Sequence, residues 1–287
     1  ASKRSLSICS CLEVHFLLQA NSLDHVVFRS RSYYLFLPKF LISGAGNSVF
    51  RLIKGLNKKK FFIYTICFGK CEYSKKFSKT VKLFELNYNR LVTAFFKIHE
   101  IVKNIENKHK REKLIFLSNH HYVNIFALTI KMYFKRIKII GVERTAIHEL
   151  NIFYSIKDFF KKKILLFCVK KFYKYLDKIV SNSKNVKNEI NKFSNKNSIF
   201  IYPPSLEKLY PKKKSKTYLK KQINILMVGR LDPEKGINVA IKAIALLKQK
   251  VCLTIVGRGT EYQKKILLIN KSKKDKIEFV GHKNDLK

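Results

Sequence analysis

From Tyr33 onward the chain alternates short, β-rich apolar runs with longer helical ones, and this alternation narrows the folds open to it. The β-rich runs fall at 33–37, 61–68, 81–86, 113–117, 137–142, 178–181 and 198–202, with helical stretches at 90–105, 123–134, 152–176 and 184–193 between most of them. Near-continuous apolar character marks strands buried on both faces, and strand–helix–strand repetition predicts a doubly wound parallel sheet. The pattern breaks at Tyr202-Pro203-Pro204-Ser205, and a charged stretch led by Pro211 runs to Lys216 without periodicity. It then restarts, with strands at 223–228, 251–256 and 276–280 and helices at 237–248 and 261–269. In the first of these helices Ile237, Ala240, Ile241, Ile244 and Leu247 share a face suited to packing on a sheet. Two α/β domains are therefore expected, 33–215 and 216–287. The second has only three strands where such domains usually carry five or six. An open sheet edge and an uncovered apolar face would follow, with poor solubility or a partly molten second domain.

Residues 1–32 do not match the rest. They hold one lysine, three of the ten arginines and seven serines, and the chain opens on Ala1. Such a step in composition fits a segment of different origin, and no function is assigned to it.

Hydrophobic residues make up 46% of the chain, enough for a sizeable core, and no apolar run approaches the ~20 residues of a membrane-spanning helix. Lys and Arg number 60 against 19 Asp and Glu, a formal charge of +41. A phosphate-rich partner, an anionic lipid surface, or simple codon bias of an AT-rich genome would each produce that imbalance. The lysines are scattered through every segment and no nucleic-acid-binding motif accompanies them, so no nucleic-acid partner is expected. A basic nucleic-acid-binding protein remains the rival that charge alone would suggest. The cysteines at 9, 11, 67, 71, 168 and 252 form no C-x-x-C pair, which fits free thiols in a reducing compartment and a cytoplasmic protein without a bound metal.

The most informative stretch is Ile223-Asn-Ile-Leu-Met-Val-Gly229-Arg230-Leu231-Asp-Pro-Glu-Lys235-Gly236. A buried strand is expected to end at Gly229, and a helix to open at Gly236. Helix N-termini offer unpaired N–H groups and a partial positive charge. With a forked guanidinium and an ammonium beside them, the arrangement suits a diphosphate. A surface Arg and Lys on an ordinary strand-to-helix loop is the plainer alternative.

The segment Val228-Gly-Arg-Leu through Lys235-Gly236, with Ala240 and Ala243 behind it, resembles the start of the C-terminal domain of family 4 (group 1) glycosyltransferases. Leu253-Thr-Ile-Val-Gly257-Arg-Gly259 and Ile277-Glu-Phe-Val-Gly281 follow at family-like spacing. In the N-terminal half, Ser43-Gly44-Ala45-Gly46-Asn47 after Leu37-Pro38 resembles the family's glycine-rich turn, interrupted here by Ala45. Asp177 to Ser183 and Ile199 to Pro204 resemble its later strands, so the likeness runs from about Tyr33 to Lys287. The resemblance implies a GT-B fold, two Rossmann-like doubly wound domains facing across a cleft, with the second incomplete. It implies a retaining sugar transfer from a nucleotide-diphosphate sugar to a glycan or lipid-linked glycan, as in lipopolysaccharide or other envelope polysaccharide synthesis, without metal or other cofactor. Arg230 and Lys235 would grip the donor diphosphate with Gly229 and Gly236, Gly257 and Gly259 would turn beside the nucleotide, and Gly44 and Gly46 would approach the phosphates. The family's pair of glutamates separated by seven residues has no counterpart before Lys287, so an inactive fragment or pseudogene product is the alternative expectation.

Three further residues are candidates for contact with the acceptor or the sugar. His120 and His121 follow the strand at 113–117 and are expected to face the cleft, and Glu143, followed by Arg144, sits at the next strand end, where resembling enzymes often carry Glu-Arg. An exposed histidine pair without chemistry is the bland reading of the first two. The stretch 154–176 interleaves Phe159, Phe160, Leu165, Leu166 and Phe172 with lysines. It fits either a helix on an anionic membrane, as a peripheral enzyme on the cytoplasmic face of the inner membrane would need, or an ordinary helix covering the sheet.

Overall fold

The computed structural model describes residues 31–37, 43–56, 61–77, 81–153, 155–203, 223–231, 235–247, 251–257, 259, 277–281 and 283. Most of the atypical segment 1–32, the linker at 211–216 and the expected helix at 261–269 lie outside the described residues. The chain divides into two compact units, Ala1–Tyr210 and Pro211–Lys287.

In the first unit seven parallel strands form one sheet: β1 (Arg31–Leu37), β2 (Phe61–Cys67), β3 (Val81–Glu85), β4 (Lys113–Asn119), β5 (Ile137–Glu143), β6 (Lys178–Ser181) and β7 (Ile199–Phe200). Their order is β3-β2-β1-β4-β5-β6-β7, so the chain reverses direction across the sheet between β1 and β4. The helices are α1 (Gly44–Gly55), α2 (Phe95–Lys108), α3 (His121–Tyr133), α4 (Ile156–Phe172) and α5 (Lys184–Ser194).

Strand side chains alternate between two cores. Leu114 and Phe116 of β4 pack with α2, α3, α4 and α5 on one face, among Ile98, Val102, Ile130, Val169 and Ile190. Ile115 and Leu117 of the same strand point the other way, against Val49 and Ile53 of α1. Both faces are thus covered, which is why the strands read as continuous apolar runs. Serines cap three helices: Ser43, Ser155 and Ser183 each accept a bond from the amide three residues on, the usual device for the otherwise unpaired first-turn amides.

Asp177 ties the lower ends of these elements together, at the opening of β6. Its carboxylate accepts from the Ile139 amide at 2.8 Å and pairs with Lys131 of α3 at 2.9 Å and Lys138 of β5 at 3.4 Å. Partial burial pushes its pKa up, but the amide and the two ammonium groups outweigh that and hold it below the ordinary value.

In the second unit β8 (Ile223–Val228), β9 (Val251–Val256) and β10 (Ile277–Gly281) are parallel in the order β10-β9-β8, with α6 (Ile237–Leu246) on one face. The sequence suggests a buried β8, and here the structure differs. Leu226 and Val228 are more than half exposed, because β8 pairs only with β9 and α6 covers a single face of the sheet among the described residues.

Replacing Asp177 with Ala should destabilise the chain by about 1–2 kcal/mol at neutral pH, through the orphaned Ile139 amide and the partly screened ion pairs. Because the folded carboxyl titrates below its unfolded value, this contribution is present above pH ~4 and fades as pH falls through the lower folded value. Urea unfolding of both chains at neutral and acid pH checks it: the gap between them should close in acid.

Candidate functional site

In open parallel sheets, ligands bind beyond the carboxyl ends of the strands where the strand order reverses. In the first unit that point lies between β1 and β4. Two features of the sequence reach it. Gly44 and Gly46 lie in the first turn of α1, the first described helix after β1, so the stretch resembling a glycine-rich turn is helical from Gly44 on. There the Gly46 amide is already bonded to Ser43 Oγ at 3.2 Å. His120 is the single residue between Asn119, which ends β4, and His121, which begins α3.

His120 and His121 have opposite fates. His121 is buried, 3% exposed. Its Nδ1 lies 3.0 Å from Glu143 Oε2 and 3.1 Å from the Tyr173 hydroxyl, and its Nε2 lies 3.2 Å from the Thr145 carbonyl oxygen. Glu143, at the end of β5, has no exposure at all. Its Oε1 accepts from Asn124 Nδ2 at 2.5 Å and from the Tyr173 hydroxyl. Ser118 Oγ in turn donates to Asn124 Oδ1 at 2.5 Å. Neighbouring strand-end residues are held as well: Arg144 Nε donates to Asn119 Oδ1 at 3.2 Å, and Asn182 Nδ2 donates to the Arg144 carbonyl at 3.0 Å.

Burial by itself would lower the His121 pKa, but the charge of Glu143 and its hydrogen bond overcome that and raise it above the ordinary histidine value. Complete burial, and after it the same carboxylate, push the Tyr173 phenol well above its ordinary range, so it stays a donor. His120 goes the other way. Burial, with Arg144 and His121 nearby, lowers its pKa despite Glu143, leaving a neutral imidazole at neutral pH. That ring is partly exposed, and among the described residues it has no hydrogen-bond partner. Its backbone has φ 78° and ψ 148°, near a region that residues with a β-carbon avoid and that tends to occur at functional sites.

Of the three acceptor-side candidates, then, the structure turns His121 and Glu143 inward toward each other and leaves only His120 in reach of a ligand. Sequence reasoning missed Asn124 and Tyr173. Asn124 sits one helical turn after His121 and so shares its face, a readable signal. Tyr173 arrives from 52 residues beyond His121 and gives no local sign.

In the second unit β8 ends at Val228, and the Gly229 amide extends its ladder to the Val256 carbonyl at 3.0 Å. Arg230 and Lys235 are both exposed, on either side of buried Leu231. The Lys235 stem lies beside Gly229, 3.8 Å from where a β-carbon there would sit. Gly236 caps α6 with φ 66°, a left-handed turn that suits glycine, and its carbonyl accepts from Ala240 at 3.0 Å. Gly257 has a packing reason to be glycine: a β-carbon there would fall 1.8 Å from the Gly229 carbonyl oxygen. The ends of β8 and β9 therefore meet backbone to backbone beside the mouth of α6.

Residues 211–287, the whole of this second unit, match the family described as glycosyl transferases group 1. That match places the second unit with the group 1 glycosyltransferases. An uncharacterised glycosyltransferase of Methanocaldococcus jannaschii is 30% identical over 213 residues, covering 69% of this chain and 50% of that protein. The chain thus spans half the length of that relative. Among solved structures, sucrose-phosphate synthase of Thermosynechococcus elongatus aligns with a TM-score of 0.66 at 15% identity, over 88% of this chain and 71% of that one. Anabaena HepE, solved with UDP and glucose, aligns at 0.62 and 11% identity, over 89% and 70%. The lipopolysaccharide-synthesis glycosyltransferase WaaG aligns at 0.56 and 14%, over 89% and 71%. At these identities the likeness establishes the fold, which is α/β of the GT-B type with Rossmann-like parallel sheets.

Two outcomes follow for the first unit's cluster. Replacing His120 with Gly should raise stability by roughly 1 kcal/mol by relieving the backbone, measured by urea unfolding. Replacing Glu143 with Gln should lower the His121 pKa, followed by NMR titration. Because the folded His121 value lies above the unfolded 6.5, its ion pair stabilises the chain fully below that pH. The contribution is lost as pH rises through the folded value.

Proposed function

We propose that the protein transfers a sugar, with retention of configuration, from a nucleoside-diphosphate sugar to a hydroxyl of a glycan or lipid-linked glycan during cell-envelope polysaccharide or glycolipid synthesis. The observation that carries this is the strand end Gly229-Arg230 set against Lys235-Gly236 at the mouth of α6, inside the segment that matches the family. In the transfer, the bond from the anomeric carbon to the β-phosphate oxygen breaks and the acceptor oxygen bonds to that carbon. The acceptor proton passes to the departing diphosphate. Arg230 and Lys235 offset the charge that builds on that diphosphate, an electrostatic role realised mostly as the bond breaks.

On the acceptor side, His120 is assigned to hydrogen-bond the acceptor or the sugar. His121 and Glu143 are positioning residues that hold His120 and Arg144 in place. A uridine nucleotide as the donor carrier is supported by HepE, which was solved with UDP-glucose. An envelope role is supported by WaaG and the lipopolysaccharide outer core galactosyltransferase WaaB. The retaining course and the independence from metal come from the family resemblance, and a cytoplasmic location from the thiols and the acceptor class. Among the described residues no helix is long and apolar enough to cross a membrane.

Titration calorimetry of the chain with UDP tests the donor assignment. Each charge-assisted hydrogen bond to phosphate contributes on the order of 1.5–3 kcal/mol, so replacing Arg230 or Lys235 with Ala should weaken binding roughly ten- to a hundredfold. Uridine without phosphates should be insensitive to both changes. Equal affinity of both variants and the parent chain for UDP would remove Arg230 and Lys235 from the donor site.

A further inference from the structure

Helix α4 carries two apolar faces. One serves the core: Leu166 and Val169 are buried among residues of the first unit. The other points away from it. Ile156, Phe160, Ile164 and Phe167 are 78%, 60%, 64% and 58% exposed, and at 100° per residue they fall within one arc of about 80° on the helix. The sheet is already covered by the inner face, so these four side chains contribute nothing to it. Single exposed apolar residues are ordinary, but an aligned set on one helix marks an interaction surface.

Charge says what the surface fits. Lys157, Lys163, Lys170 and Lys171 are all exposed and lie within or beside the same arc. Lys162, which points toward the core side, is instead committed to Asp158 at 3.0 Å and to the Ile152 carbonyl at 2.6 Å. The outer face therefore carries an excess of positive charge around an apolar ridge. A second copy of the chain would bring lysines against lysines, because a two-fold contact matches a patch with itself. A bilayer accepts a projecting ridge, takes apolar side chains below the headgroups, and lets lysines reach up to anionic phosphates. Beyond the helix end Met132, Phe172 and Tyr175 line an open cavity of about 810 Å³ together with Lys174, Lys196 and the paired Lys131 and Asp177.

We infer that the outer face of α4 is a docking surface for an anionic lipid bilayer, with Ile156, Phe160, Ile164 and Phe167 entering the interface and the flanking lysines meeting the headgroups. The inference rests on the proposed transfer only for its purpose, the meeting with a lipid-linked acceptor. Its test needs neither donor nor turnover.

A chain of charge +41 will adhere to any anionic surface at low salt, so the measurement is flotation with phosphatidylglycerol-containing and pure phosphatidylcholine vesicles at about 0.5 M salt. There the attraction of exposed charges is screened within a few ångströms. The parent chain should stay bound to the phosphatidylglycerol vesicles. A chain with Ile156, Phe160, Ile164 and Phe167 all changed to Ser should lose at least tenfold in partitioning, with unchanged circular dichroism. The protein contains no tryptophan, so Phe167→Trp gives a clean depth probe. Its fluorescence should shift to the blue and be quenched by brominated lipid, while Phe96→Trp, on a still more exposed site of α2, should show neither change. The inference is overturned if the parent chain does not float at high salt or if the four-serine chain floats equally well. A four-serine change that only converts a dimer to a monomer would overturn it too, assigning the face to a second copy. Loss of UDP binding would bear on the donor site alone.

Discussion

A carboxylate with no contact to water sits at the end of β5, and the upper edge of the first unit is arranged around it. Moving an ionised carboxylate out of water is costly unless it is paired and fully hydrogen-bonded. Glu143 is met from two elements: His121 in the first turn of α3 pairs with its Oε2, while Asn124, one turn further on, and Tyr173 at the exit of α4 donate to its Oε1. Each partner comes from an element that also packs in the core, so satisfying the charge fixes where those elements begin and end. The His120 backbone follows from this. For His121 to reach Glu143, β4 must stop and α3 must start within one residue, and the residue in between takes up the whole turn at positive φ. The strain at His120 and the burial of Glu143 are thus two sides of one constraint.

The same constraint separates two adjacent histidines chemically. One carboxylate raises the pKa of His121, which it touches, yet cannot keep His120 from being lowered, because burial and the neighbouring positive groups act more strongly there. A neutral, partly exposed ring beside a locked, polarised one is an arrangement in which the second fixes the surroundings of the first. Conformational freedom that a substrate would otherwise have to remove is already gone.

The parallel sheet and most of its strands were legible, because both faces of a parallel sheet demand continuous apolar runs and the intervening helices show their own period, whereas the order of the strands was not read from the sequence. The strand-to-helix turn from Gly229 to Gly236 was legible too, since the left-handed cap at Gly236 and the backbone contact at Gly257 both call for glycine. Helix ends were less so: α2 begins at Phe95 and α4 at Ile156, several residues inside the periodic stretches, because capping and turns decide boundaries that periodicity does not see. The site in the first unit was only half legible. Strand ends announce that His120, His121 and Glu143 lie near a binding edge. Which of them turns inward depends on Tyr173, a contact across 52 residues that no local pattern encodes. The two faces of α4 were hidden for a related reason. Apolar residues on opposite sides cancel in any measure of amphipathicity, and only burial tells core from surface.

Charge balance sharpens the reading of the whole surface. The described acids are largely engaged: Glu85 accepts the Cys71 amide, Glu100 pairs with Lys97, Glu112 with His109, Asp158 with Lys162, Asp177 with two lysines and Glu189 with His148. With 60 basic residues against 19 acidic ones, positive potential is available almost anywhere and selects no position. Selection must then come from what is not electrostatic. At the second unit it is the backbone geometry of a helix mouth that needs glycine at two places. On α4 it is a ridge of four apolar side chains with no core to fill. A uniform excess of lysine would draw any polyanionic partner toward the chain, and under the two proposals above these local shapes are where a diphosphate and a lipid surface would settle.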